Sequence, residues 1–216
     1  MTLKKHTLFK VFDVESRMRT SISYHFACIH CNTIETTMNY TNPACYQPPS
    51  PDDKYLTNMF RHFELFRTEK RDDSGAVKQK SFIDSLKKEK PYVATYDNPP
   101  FWVVIKSLPL GSLYYTFLFL DNNIKTLVLN DFNFLLTQSK VFEQAIYILK
   151  EVRNQCAHLE LLTRFRLKRT AKLDYFNDVI NYANLSRSDI NYMDVLKTYK
   201  IFGSIMNIKW IIIKFY

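Results

Sequence analysis

Apolar residues recur every three or four positions through Val11, Val14, Met18, Ile22, Phe26 and Ile29, the spacing that lines one face of a helix. Glu15 and Arg19 lie four apart on that helix, acid before base, as in an ion pair at a surface or between helices. The pattern then stops at "TNPACYQPPSPDD", where closely spaced prolines exclude a regular helix and predict a loop over 42–52. The closing Asp52 and Asp53 can cap a second helix, predicted from Asp53 to Thr68, with Leu56, Phe60, Phe63 and Phe66 facing inward until "EKRDDSG" ends it. A Lys- and Arg-rich segment follows over 67–90. Pro99 and Pro100 then start a short apolar helix. Pro109 and Gly111 break it, and Leu113, Phe117 and Leu120 begin another, so two helices meet at a kink. The longest pattern runs from Gln138 to Leu162, with Phe142, Ala145, Ile146, Leu149, Val152, Cys156 and Leu159 on one stripe. Two weaker helical patterns complete the chain.

Composition supports this picture. Only 3 glycines among 216 residues leave few of the tight turns that a hairpin-rich fold needs, and 46% apolar residues suffice for a core, so the chain reads as all-α. Thirty Lys and Arg against 21 Asp and Glu give a formal net charge of +9, which attracts polyanions, nucleic acid foremost, though such an excess can also serve solubility. The N-terminal "MTLKKHTLFKVF" lacks the pattern of a secretory signal, and the four cysteines then suit a reducing cytoplasm. The apolar "IFGSIMNIKWIIIKFY" is interrupted by Lys209 and Lys214 and falls short of the roughly 20 residues that span a bilayer, so no membrane span is expected.

Within the long helix, "EVRNQCAHLE" places Glu151, Asn154 and His158 close to one line, while Arg153 lies about 140° round from His158. Read from the residues alone, these form either the polar edge of an amphipathic helix or a catalytic group. "HFACIHC" holds a C-x-x-C motif, Cys28 and Cys31, with two histidines nearby. A structural zinc site needs four converging ligands, and no second C-x-x-C follows, so the cysteines read as buried helix residues and no metal is expected. "DDSGAVKQKS" lacks the Gly-Lys-Ser/Thr ending of a phosphate loop, and no cofactor is implied.

An arginine followed four to six residues later by a histidine is associated with a class of small helical ribonucleases. Arg19 and His25 share that bare spacing with Arg153 and His158, but the wording around the second pair is more specific. "EVRNQCAH" resembles the "RN.CAH" signature of bacterial abortive-infection proteins of the AbiD/AbiF type, in the HEPN superfamily. "NPPFWVVIKSLPLGSLYYTF" is similar to that family's Pro-Pro-Phe-Trp helix and following glycine, and "VESRMRTSISYHF" to its earlier Glu and Arg helix. The three blocks fall in the family's order across residues 11–167.

The resemblance implies a HEPN-like helical bundle, an Abi domain over 1–170 with an extra C-terminal helical region over 171–216. It also implies a metal-independent endoribonuclease that acts as a toxin in antiphage defence. Arg153 and His158 become the catalytic pair and Asn154 the polar residue of the motif, working at the cleft of a homodimer. Arg164, Arg166, Lys168 and Arg169 would then steer the RNA backbone, unless they form a solvated face, and the segment over 67–90 offers a second contact. An RNA or protein antitoxin is expected as a partner. The chain departs from the family in a shortened N-terminal region, in Lys106 where an acidic residue is common, in Pro109, and in "HLELLTRFRL" after the histidine. Position 160 is Glu, so the tyrosine that controls HEPN toxins paired with nucleotidyltransferases is absent. The alternative is a non-catalytic HEPN-fold module that binds RNA or protein.

Overall fold

A computed structural model describes residues 3–157 together with Asp178 and Asn181. Its described residues are mainly α-helical: α1 (Leu3–His30), α2 (Lys54–Arg61), α3 (Phe82–Glu89), α4 (Pro91–Ala94), α5 (Phe101–Val104), α6 (Leu110–Phe119), α7 (Asn122–Asp131) and α8 (Ser139–Ala157), with β1 (Lys70–Arg71) and β2 (Val77–Gln79) as a short antiparallel ribbon. The fold class is all-α, as the spacing predicts. The chain divides into two compact units, one of Met1–Arg17 with Lys125–Tyr216 and the other of Met18–Ile124.

The unit of Met18–Ile124 is built round aromatic rings. Met18, Ile22 and Phe26 lie fully buried along one face of α1, as their spacing demands, whereas Ile29, expected on the same stripe, is 41% exposed next to the end of the helix at His30. Phe26 meets Phe101 edge-on at 5.3 Å, and Phe101 stacks on Tyr40 at 4.8 Å with the planes 7° apart. The phenols satisfy themselves on backbone: Tyr40 donates to the Pro99 carbonyl at 2.7 Å and Tyr46 to the Tyr40 carbonyl at 2.7 Å. A buried phenol without such an acceptor would lose stability, so the two bonds fix the Pro-rich loop over 42–52 against the start of α5. The Gln47 amide, donating to the Phe119 carbonyl at 2.8 Å, ties the same loop to the end of α6.

Several turns are dictated locally. Asp53 caps α2 by accepting from the Leu56 amide at 2.9 Å. Leu108 is extended, as the residue before a proline prefers, and Pro109 supplies the N-cap of α6. The expected break therefore lies at Leu108 and Pro109, whereas Gly111 sits inside α6 and Leu120 just past its end. Arg19 Nη2 donates to the Leu108 carbonyl at 3.0 Å, holding this break to α1.

Two expectations need correction, on the second helix and on Glu15. The second helix ends at Arg61 instead of Thr68, because Phe63 and Leu65, two residues apart, are both buried. One helix face cannot bury such a pair, and an extended Phe63 followed by a turn of 3-10 helix can. The basic segment forms the β1–β2 ribbon, closed by Gly75 at φ +82°, before α3 begins. In its turn Asp72 accepts from the Ser74 and Ala76 amides and the Ser74 hydroxyl, and these donors hold its carboxyl below the usual carboxylate range. Glu15 is only 2% exposed, which excludes a surface ion pair for it.

In the other unit, Val11 and Val14 of α1, Val128 and Leu129 of α7, Phe132, Phe134 and the α8 stripe are buried. Arg17 donates to the Asp131 carbonyl at 2.9 Å, and its guanidinium lies 4.7 Å from the centre of the Phe132 ring. It thus satisfies a terminal carbonyl of α7 while covering an apolar ring.

Candidate functional site

Helix α8 begins at Ser139, one residue from the predicted start, and its packing separates the residues of the Arg-Asn block. Phe142, Ala145, Ile146, Leu149, Val152 and Cys156 are each at most 2% exposed, so the predicted stripe is the buried face as far as Cys156, and Leu159 and the predicted end at Leu162 lie outside the described residues. Ile148 is buried as well, and so are the polar Glu143 and Gln144, so the first half of α8 is covered over far more of its circumference than one stripe. Each of these polar groups has a bond that offsets its burial: Glu143 accepts from Lys140 Nζ at 2.8 Å and Ser139 Oγ at 3.1 Å, and Gln144 donates to Asp178 Oδ2 at 2.7 Å. The partners of Glu143 stand at helical spacing on α8 itself, whereas Asp178, which accepts from Gln144, lies 34 residues away, where spacing gives no sign of it.

The covering thins along one edge. Tyr147, Lys150 and Glu151 are half-buried, with Lys150 Nζ 3.2 Å from Glu151 Oε1 and 4.3 Å from the Tyr147 ring centre. Arg153 is half-buried and Asn154 exposed, while their neighbours Val152 and Cys156 are 1% and 2% exposed. The fold therefore leaves a guanidinium and an amide outside the packed face of α8, and a guanidinium so placed offers several donors to an anion. Glu15, buried on α1, belongs to the same compact unit. His158, and Arg164, Arg166, Lys168 and Arg169 beyond it, lie outside the described residues.

The basic segment over 67–90 is mostly exposed. Arg71 is engaged by Glu69 at 2.7 Å, and Arg67 lies 5.9 Å from the Phe82 ring centre. Among the described residues no three His, Cys, Asp or Glu side chains gather as metal ligands. The C-x-x-C cysteines differ from the expected buried pair: Cys28 is exposed, because it lies off the stripe of Ile22 and Phe26, and Cys31 follows the end of α1 and is half-buried. Burial pushes the Cys31 and Cys45 thiols up, away from reactive thiolate character. No described helix is long and apolar enough to cross a membrane.

A family model described as Abi-like protein matches residues 1–163. No curated protein and no solved structure matches the chain. The matched span takes in the buried Phe101, the edge of α8 at Arg153 and Asn154, and His158.

Proposed function

We propose that this chain, which belongs to the Abi-like protein family, serves abortive-infection defence by cleaving RNA. The family carries the defence role. The observation that supports the chemistry is the rim of α8, where Arg153 and Asn154 stand outside a stripe whose other members are almost fully buried. Neither is needed to fill the core, and both offer the donors that a phosphodiester accepts. In this reading the chain has a HEPN-type domain over 1–170, an extension over 171–216, and a site completed by a second copy.

RNA carries its own nucleophile. One His158 takes the 2′-hydroxyl proton as the 2′-oxygen bonds to phosphorus. The bond from phosphorus to the 5′-oxygen breaks, and the leaving oxygen takes a proton from the partner's His158. Imidazole titrates near neutrality and can serve in both directions, a role worth roughly 10² to 10⁴ in rate. Arg153 holds the non-bridging oxygens by charge-assisted bonds that strengthen as charge develops in the transition state. Asn154 orients His158 or a phosphate oxygen, and Arg164, Arg166, Lys168 and Arg169 steer the backbone. The products are a 2′,3′-cyclic phosphate and a 5′-hydroxyl, and DNA, which lacks the nucleophile, is spared.

The test is expression of the wild type and of Arg153→Ala. The wild type is expected to arrest growth and degrade RNA, the variant to do neither at equal abundance, and the purified enzyme to work in EDTA. RNA left intact by both would replace the nuclease with the binding-module reading.

A further inference from the structure

The unit of Met18–Ile124 packs most of its aromatic residues; Tyr24 and Tyr55, each 63% exposed, stand elsewhere along the chain, and Tyr92, Tyr96 and Trp102 form an exposed group within one short stretch. Trp102 is 50% exposed, Tyr92 43% and Tyr96 37%, although Trp102 directly follows the buried Phe101. Tyr96 meets Trp102 edge-on at 6.1 Å, and Lys106 Nζ lies 5.4 Å from the centre of the indole. The cluster is held in place from behind. Tyr92 is bonded to Ser107 Oγ at 2.6 Å, Lys87 Nζ donates to the Asp97 carbonyl at 2.8 Å, and Trp102 and Lys106 stand on a segment anchored by the buried Phe101, Val103, Val104 and Ile105. Lys88 and Lys90, just before α4, are exposed.

Three flat rings kept partly in water beside ammonium groups match single-stranded nucleic acid, whose bases stack on aromatic faces while lysines meet the phosphates. Charge complementarity favours this occupant over a protein, because protein interfaces are depleted in lysine, whereas Lys88, Lys90 and Lys106 are all exposed here against Glu89 and Asp97. We infer that Trp102, Tyr96 and Tyr92 form a stacking platform that binds single-stranded RNA, with Lys106 on the adjacent phosphate. The inference rests on the reading of RNA as substrate and adds that the substrate is engaged unpaired, because a duplex keeps its base faces covered.

Binding is measured by anisotropy with the full chain and a labelled 2′-O-methyl RNA of about 12 nucleotides, which cannot be cut through its 2′-oxygen, as a single strand and as a duplex. Trp102→Ala and Tyr96→Ala are each expected to weaken the single strand roughly tenfold while Trp102→Phe keeps most of the affinity, since loss of one stacked base has that size. Lys106→Gln should lower the salt dependence by about one counterion. In a Trp210→Phe background, RNA should quench the indole emission of Trp102.

Equal binding of wild type and Trp102→Ala, equal binding of strand and duplex, or retention on anionic phosphatidylglycerol vesicles without RNA binding would each overturn the platform. Cleavage of unmodified RNA is followed in parallel. Cleavage with unaltered Trp102→Ala binding removes the platform and leaves the nuclease, whereas Trp102-dependent binding without cleavage removes the nuclease and leaves the platform.

Discussion

The Pro-Pro-Phe-Trp block and the Arg-Asn block are both short runs in which packed and unpacked residues alternate, yet they are held differently. In the first, Pro99 is an acceptor for Tyr40 and Phe101 is 1% exposed inside an aromatic cluster, so the block is set by tertiary contacts. In the second, Val152 and Cys156 are packed by the simple periodicity of α8, and Arg153 and Asn154 stand at its edge. The contrast teaches that membership in a signature does not assign a role. Within each block, burial separates the residues that fill the core from those at its edge.

That separation can be broken by substitution. The largest effect is expected at Arg153→Ala, which should slow RNA cleavage by about 10² to 10³ and leave thermal unfolding where it is, because a rim residue contributes to the transition state and not to the core. A coincident fall in melting temperature would reassign Arg153 to the fold. Phe101→Ala should cost roughly 3 to 5 kcal/mol in urea unfolding, and its neighbour Trp102→Ala about 1 kcal/mol or less. Equal losses at the two positions would erase the distinction drawn inside that block.

Smaller effects sharpen the picture of the aromatic unit. Burial raises the phenol of Tyr40 and pushes that of Tyr46 well above its usual value, so the folded chain favours their neutral forms. Their contribution is therefore complete below the unfolded phenol value, about pH 10, and declines as pH rises beyond it, because the unfolded chain ionises first. Urea midpoints should hold up to that pH and then fall, and Tyr46→Phe should flatten the fall while losing about 1 kcal/mol for its bond to Tyr40. A midpoint independent of alkaline pH would contradict the burial of these rings. Asp53→Ala, which removes the cap on Leu56, should cost about 1 kcal/mol in urea unfolding.

What was legible in the sequence was local. The stripe of α1 as far as Phe26, that of α8 as far as Cys156, the Asp53 cap and the extended residue before Pro109 follow from spacing, capping chemistry and proline sterics. What was not legible depended on distant partners. The early end of α2 comes from the need to bury Phe63 and Leu65 together, and the burial of Glu15 and Gln144 comes from neighbours that spacing cannot name. The ribbon over 70–79 has almost no buried residue, so no hydrophobic alternation announced it. For the candidate site, spacing identified the helix and the line of Glu151 and Asn154, family wording singled out Arg153 and His158, and packing distinguished Arg153 and Asn154 from the buried Val152 and Cys156 on either side.

Whether Arg153 and His158 cut RNA through its own 2′-oxygen is decided by end-group analysis of RNA incubated with pure wild-type and His158→Ala protein. The wild type is expected to leave 2′,3′-cyclic phosphate and 5′-hydroxyl ends, and a folded variant to leave the RNA intact. Identical products from both proteins, or 5′-phosphate ends from the wild type, would contradict it.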